Sequence, residues 1–312
     1  MVSLKPQRPR PSYLLLLIPC LVLALSAPSR RTRAAAPQDE DVVRVNSELV
    51  VLNVTVTDKR GAYVHGLKKT DFKVFEDGQE QTIAGFGEEA TPFAAALLLD
   101  ISGSMEGRVT LARSAAIRFL DGLRPDDSVA VYSFHTEVKQ EQDFAYTRDL
   151  EQRVFGLNAR GLTVLNDAVV SAARDLAARP ERRRAIVVLS DGADTRSAAS
   201  ADKALNTALA ANATIYTVDL SDRSAGRADI ISGSGALKQF AARSGGRYLP
   251  TPGGQELREA FAAVVEELSN QYTISYRPTN RARDGRYRNI EIKLARPDTT
   301  ARTRRGYRAP KD

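Results

Sequence analysis

Three oxygen-bearing side chains stand at alternate positions just past an unbroken apolar run: Asp100, Ser102 and Ser104 in AAALLLDISGSME. Gly103 lies between the hydroxyls, where the lack of a side chain lets the loop turn tightly. One carboxylate and two hydroxyls are hard donors, better suited to Mg²⁺ or Mn²⁺ than to Zn²⁺. A single formal charge leaves such a site incomplete. Two further donors follow at loop positions: Thr163 in GLTVLND, ahead of a helical pattern, and Asp191 in LSDGAD, after the apolar stretch AIVVLS. The plainer alternative is that these side chains satisfy loop amides and helix N-termini.

The elements that must position these residues are visible in the hydrophobic pattern. Six consecutive apolar residues, Ala94 to Leu99, read as a strand covered on both faces, as in the middle of a parallel α/β sheet. Ligands of such sheets bind at the C-terminal ends of the strands, where Asp100 stands. Helical stripes run through Val109, Ala112, Ala116, Phe119, Leu120 and Leu123, and through Leu165, Ala168, Val169, Ala172 and Leu176. Strands are expected at Ser128 to Phe134, at Val138 to Phe144 as an antiparallel edge, and at Ala213 to Leu220. Residues 226–235, bearing glycine and serine, read as a loop before a short helix, Leu237 to Ala242. A last helix is expected over Gln255 to Leu268. Strands alternating with helices make this an α/β fold with a mainly parallel sheet flanked by helices.

The order DxSxS, loop threonine, strand-terminal SDG aspartate resembles the metal-ion-dependent adhesion site of von Willebrand factor A (VWA) domains, over residues 92–270. The resemblance implies a Rossmann-like domain whose metal ligands are Asp100, Ser102, Ser104, Thr163 and Asp191. Ser102 and Ser104 would coordinate directly, the others directly or through water. The open coordination position would take an Asp or Glu side chain from a protein ligand. In resembling domains a change in coordination is coupled to sliding of the last helix; a rigid joint is the alternative. The phrase VxVTDxxGxxVxGLxxxDFxVFEDG, the A domain and YTISYRP together are similar to secreted VWA-related proteins first grouped from acidobacteria. That similarity adds architecture and little function.

Flanking the A domain are two strand-rich pieces, 41–90 and 271–310. The first alternates through VVRVNSELVVLNVTVTD and carries a hairpin signal at Asp77 and Gly78; the second alternates through QYTISYRP and RYRNIEIKLARP, with ARTRRGYRAP adding a final strand. Neither piece is large enough to bury a core alone. They are therefore expected to pair as one β-sandwich, with the A domain inserted between them.

Residues 1–36 read as a signal peptide, with Lys5, Arg8 and Arg10 ahead of the apolar run Tyr13 to Ala27. The expected location is secreted, periplasmic or in the cell envelope. Cys20, the only cysteine, falls inside this run, so the remainder forms no disulfide. Beyond residue 36 the chain has 39 basic and 38 acidic residues, which argues against nucleic acid as a partner. The balance is uneven: residues 277–308 hold eleven Lys/Arg and three Asp/Glu. Membrane contact is expected only through an uncleaved N-terminus or this basic segment, which otherwise reads as the solvated face of an edge strand.

An enzyme is disfavoured. There is no GxSxG elbow, no phosphate loop and no cysteine nucleophile, and the two histidines, His65 and His135, are isolated in the sequence. A metal-dependent hydrolase using His135 as base is the weakest reading. A structural subunit of an envelope complex, without metal-dependent binding, is the alternative to a metal-dependent adhesion or assembly module.

Overall fold

The computed structural model describes the backbone of residues 49–87, 91–221 and 227–311, and the side chains of all of these except 227–233. The expected signal peptide with Cys20, and the first residues of the N-terminal β piece, lie outside the described residues. Four strands come first: β1 (Val50–Asp58), β2 (Phe72–Glu76), β3 (Gln79–Gln81) and β4 (Ile83–Gly87). The α/β part follows as β5 (Phe93–Asp100), α1 (Val109–Asp121), β6 (Ser128–Phe134), β7 (Val138–Ala145), α2 (Gln152–Phe155), α3 (Leu165–Ala177), β8 (Arg183–Ser190), α4 (Ala201–Ala210), β9 (Ala213–Asp219), α5 (Arg227–Ser244), β10 (Tyr248–Pro250) and α6 (Gly254–Ser269). The chain then returns to strands: β11 (Gln271–Tyr276), β12 (Tyr287–Leu294), β13 (Thr299–Arg302) and β14 (Gly306–Arg308).

The central sheet has the order β10-β9-β8-β5-β6-β7 and is parallel except for β7, the expected antiparallel edge. All eight residues of β5 are buried, which is why the run lacks polar alternation. Phe93, Ala95, Leu97 and Leu99 pack toward α1 and α6, while Ala94, Ala96 and Leu98 pack toward α3 and α4. On the first face the rings of Phe119 and Phe261 meet edge-on at 6.0 Å. Strand order reverses beside β5, since β6 lies on one side and β8 on the other. That is the topological switch point at which α/β sheets open a crevice.

One expected element is corrected. The stretch 226–235 is not a loop up to a short helix; α5 is helical from Arg227. Glycine and serine are weak helix formers, but tertiary contacts override the propensity: the buried Ser234 hydroxyl donates to Asp219 Oδ2 at 2.8 Å, and α5 lies along β9.

The outer strands form two antiparallel sheets, β13-β1-β11-β4 and β14-β12-β2-β3, each drawing on both ends of the chain. β1 pairs with β11 from Val50↔Tyr276 to Thr55↔Gln271, and β2 pairs with β12. The shared core takes Leu52, Val54 and Val56 from β1 with Tyr272 and Ile274 from β11, against Phe72 and Val74. At the Asp77–Gly78 turn both residues have left-handed φ (47° and 82°), as a two-residue hairpin requires. The hairpin is shorter than the sequence suggests: β3 has three residues, and β4 crosses into the other sheet.

A buried carboxylate joins the sandwich to the α/β domain. Glu267, near the end of α6 and fully buried, accepts from Thr55 Oγ1 (3.2 Å) and Tyr216 OH (2.9 Å) and pairs with Arg302 at 2.5 Å. Gln271 Nε2 donates to both Thr55 Oγ1 and Tyr216 OH, closing the ring. Burial and the Glu267 charge push the Tyr216 hydroxyl well above its usual range, so it stays a donor. The last carbonyls of α6 are held as well. Arg183 donates to Leu268 O and Arg124 Nη2 to Ser269 O (3.1 Å), where cations also favour the helix dipole. Removing one member of a buried ion pair strands the other, at about 3–5 kcal/mol. Glu267→Ala should therefore lower the urea unfolding free energy by about 3–5 kcal/mol, and a loss below about 1 kcal/mol would show that the joint does not depend on this group.

Candidate metal centre

Asp100 ends β5, and Ser102 opens a single 3₁₀ turn, Gly103–Met105. Asp100 Oδ1 accepts the Ser102 amide at 2.8 Å, and the hydroxyls of Ser102 and Ser104 are 3.1 Å apart. Asp100, Ser102 and Thr163 are buried, Asp191 is half-buried and Ser104 is exposed. The set thus has one end in the fold and one at the surface.

Three loops meet at this edge of the sheet. The first and second are joined by Gly103 N to Gly161 O (3.1 Å) and Arg160 N to Ile101 O (2.8 Å). The second and third are joined at Thr163, whose carbonyl accepts from the amides of Thr195 and Arg196 (both 3.0 Å) and whose amide donates to Thr195 Oγ1 (2.9 Å). The third returns to the first through Ser190 Oγ, which donates to Asp100 Oδ2 at 2.5 Å and accepts from Gly192 N at 2.9 Å. Gly161, with φ +72°, lets the second loop lie against the β6–β7 turn: a Cβ there would stand 2.3 Å from Thr136 Oγ1. Asp191 Oδ1 accepts the Ala193 amide (3.3 Å), and its carbonyl accepts from Ser221 Oγ (3.0 Å).

Several of these groups were not expected from the sequence. Ser190 reads there as the last residue of an apolar strand. Asp194, which accepts the Asn166 amide (2.8 Å), and Asp167, which accepts those of Ala198 and Ala199 (2.8 Å each), fasten the loop after β8 to the start of α3. Their sequence signal was only that of polar residues beside a helix start.

The electrostatics of the rim are set by burial. Burial pushes the Asp100 carboxyl up to about 7; hydrogen bonds from Ser102 and Ser190 pull it down, and nearby Asp191 pushes it up again. No group of three or more His, Cys, Asp or Glu converges among the described residues. With two carboxylates and three hydroxyls, whose formal charge matches that of a divalent cation, the donor chemistry fits a hard ion and not a nitrogen- or sulfur-rich Zn²⁺ site. His135 lies on the same rim, its Nδ1 accepting the Thr136 amide at 2.6 Å, with burial and Arg160 lowering its pKa. His65 belongs to the sandwich side of the chain.

Residues 95–193 match the family model of the von Willebrand factor type A domain. A search of curated proteins finds no match. Among solved structures, a von Willebrand factor type A protein from Catenulispora acidiphila is similar at 13% identity, covering 86% of this chain and 75% of that one, with a TM-score of 0.49. The PilB minor pilin from Streptococcus sanguinis is similar at 15% identity, covering 61% of this chain and 63% of that one, with a TM-score of 0.45. BatB from Bacteroides thetaiotaomicron is similar at 16% identity, covering 57% of this chain and 98% of that one, with a TM-score of 0.46. This chain spans less than two thirds of the pilin's length.

If Asp100 is held for a cation, its charge is a burden to the metal-free fold, since a buried carboxylate without a positive partner is costly. In chelator at pH 8, Asp100→Asn should be at least as stable as wild type by urea denaturation. A loss above about 2 kcal/mol would mean that the carboxylate serves the loop amides alone.

Proposed function

We propose that this VWA-domain protein is an extracytoplasmic interaction module that grips an acidic side chain of a protein partner through a divalent cation at the Asp100 rim. The wider statement is plain from the family match: VWA domains are interaction and adhesion modules without catalysis, and this chain carries one. The narrower statement, metal dependence, is supported by one observation, the convergence of the Asp100, Thr163 and Asp191 loops at the sheet's switch point around a buried carboxylate that a hydroxyl and an amide compensate only in part.

In this reading Asp100, Ser102, Ser104, Thr163 and Asp191 hold Mg²⁺ or Mn²⁺. When bound, the ion supplies a Lewis-acidic position for an incoming carboxylate. The chain's own residues do the rest. Ser190 and the Ser102 amide orient Asp100, Asp194 and Asp167 fix the third loop against α3, and Gly103 lets the first loop touch Gly161 of the second. Leu162, 44% exposed beside Thr163, offers a partner apolar contact at the rim. The N-terminal run Tyr13 to Ala27 is the ground for placing the protein outside the cytoplasm.

A second reading, an assembly or scaffold subunit that uses the domain without metal, is favoured by the internal hydrogen bonds that already close the loops. Calorimetry separates the two. Mg²⁺ should bind wild type and not Asp100→Ala, and a partner captured from native extract in Mg²⁺ should be lost both in chelator and with Asp100→Ala. Capture that survives both controls would establish the scaffold reading instead.

A further inference from the structure

Another buried carboxylate stands on the sheet edge that carries the donor loops. Asp219 ends β9, in register with Ser190 of β8 on one side and Pro250 of β10 on the other, and is 4% exposed. Both of its oxygens are engaged. Oδ1 accepts from the Ser221 amide (2.8 Å) and lies against the Ser221 hydroxyl, while Oδ2 accepts from Ser234 Oγ of α5 (2.8 Å) and from Tyr248 OH of β10. A carboxylate offers about four lone-pair sites, so none is left over for a cation of its own. Asp219 therefore acts on its neighbours and not on an ion.

Directly after β9 the chain lies across the end of β8. Leu220 N donates to Ser190 O (3.0 Å), and Ser221 Oγ donates to Asp191 O (3.0 Å). The tie at Leu220 brings Ser221 to this place but leaves its side chain a choice of rotamers. Asp219 removes that choice, because its Oδ1 holds the amide of Ser221 and confines the hydroxyl between itself and Asp191 O. The peptide plane held in this way joins Asp191 to Gly192, which has φ +83° and little resistance of its own to turning. Its other end is held too: Gly192 N donates to Ser190 Oγ (2.9 Å), and Ser190 Oγ donates to Asp100 Oδ2. One chain of hydrogen bonds thus runs from Asp219 through Ser221, the 191–192 peptide and Ser190 to Asp100.

We infer that Asp219 is a positioning residue for the rim: through the Ser221 hydroxyl it fixes the 191–192 peptide plane, and with it the direction of the Asp191 carboxylate. The inference rests on Asp100 and Asp191 being ligands of the cation. Side chains that hold a metal are generally oriented by hydrogen-bonded partners behind them, and losing such a partner costs about 10–100-fold in affinity. Ser234 and Tyr248 bond the other oxygen of Asp219 and anchor it to α5 and β10, so the carboxylate that steers Ser221 is itself fixed by two further elements.

The test is Mg²⁺ calorimetry on the full chain, with a melting curve for each variant to certify its fold. Ser221→Ala should weaken Mg²⁺ binding about tenfold, and Ser221→Thr, which keeps the hydroxyl, should bind as wild type does. Ser234→Ala takes the same kind of donor from the other oxygen of the same carboxylate; it should lower the melting temperature and leave the affinity near that of wild type. Asp219→Ala should lose affinity as Ser221→Ala does, and the double variant should lose no more than either, because the two residues act in series. If Asp219→Ala does not fold, the contrast between Ser221→Ala and Ser234→Ala decides alone. Equal affinity in wild type and Ser221→Ala would overturn the inference. So would equal losses in Ser221→Ala and Ser234→Ala, which would leave Asp219 a stabilising role only. A wild type that does not bind Mg²⁺ is a different failure: it would remove the metal reading itself, and the inference with it.

Discussion

Two sets of strands at opposite ends of this chain form one sandwich, and the constraint that makes this possible is the buried joint at Glu267. Neither set has enough apolar surface to stand alone, and they are brought together only because α6 delivers the chain back beside β1. A carboxylate at that point would be ruinous unpaired. Paired with Arg302, and accepting from Thr55 and Tyr216, it ties the central sheet, the last helix and two sandwich strands to a single atom group. Such a pair contributes little net stability compared with apolar packing, yet it penalises any arrangement that separates its members. Its value lies in the specificity of the docking.

Asp100 is the opposite case. It is as deeply buried as Glu267, but its nearest charged influence is Asp191, which is also negative. The hydroxyl of Ser190 and the amide of Ser102 compensate in part. One buried carboxylate is thus paired with a guanidinium, and the other is held by a hydroxyl and an amide alone. Asp100 ends the strand beside which the strand order reverses, the place where α/β sheets in general open a crevice.

The central strand and its terminal aspartate were legible because both signals are local. A fully buried strand shows no alternation, and donors that end strands sit next to the pattern that defines the strand. The Asp77–Gly78 turn was legible for the same reason. Ser190 was not, because its role depends on β8 lying beside β5, a neighbour relation that the linear sequence does not state. Glu267 reads as the outer face of a helix until the sandwich covers it. The start of α5 was missed because glycine and serine argued locally for a loop, while contact with β9 and Asp219 decided otherwise. The basic segment was read as the face of one edge strand, and the fold instead divides it among three strands, β12, β13 and β14, and the loops between them.

The same contacts bear on whether events at the rim are passed to the sandwich. Axial sliding of α6 would pull Leu268 and Ser269 away from Arg183 and Arg124 and drag Glu267 from Arg302, Thr55 and Tyr216 together. Each lost partner would leave a buried polar group unsatisfied, at about 1–3 kcal/mol apiece. A partner's carboxylate binding at one exposed metal position would have to supply all of that. The joint is accordingly better suited to fixing an orientation than to transmitting a shift. It holds the sandwich at the N-terminal edge of the parallel strands, by way of Arg304 on Leu209 O and Arg302 on Gly245 O, while the donor loops occupy the C-terminal edge. A body rigid along that axis keeps the Asp100 rim on the side away from the sandwich.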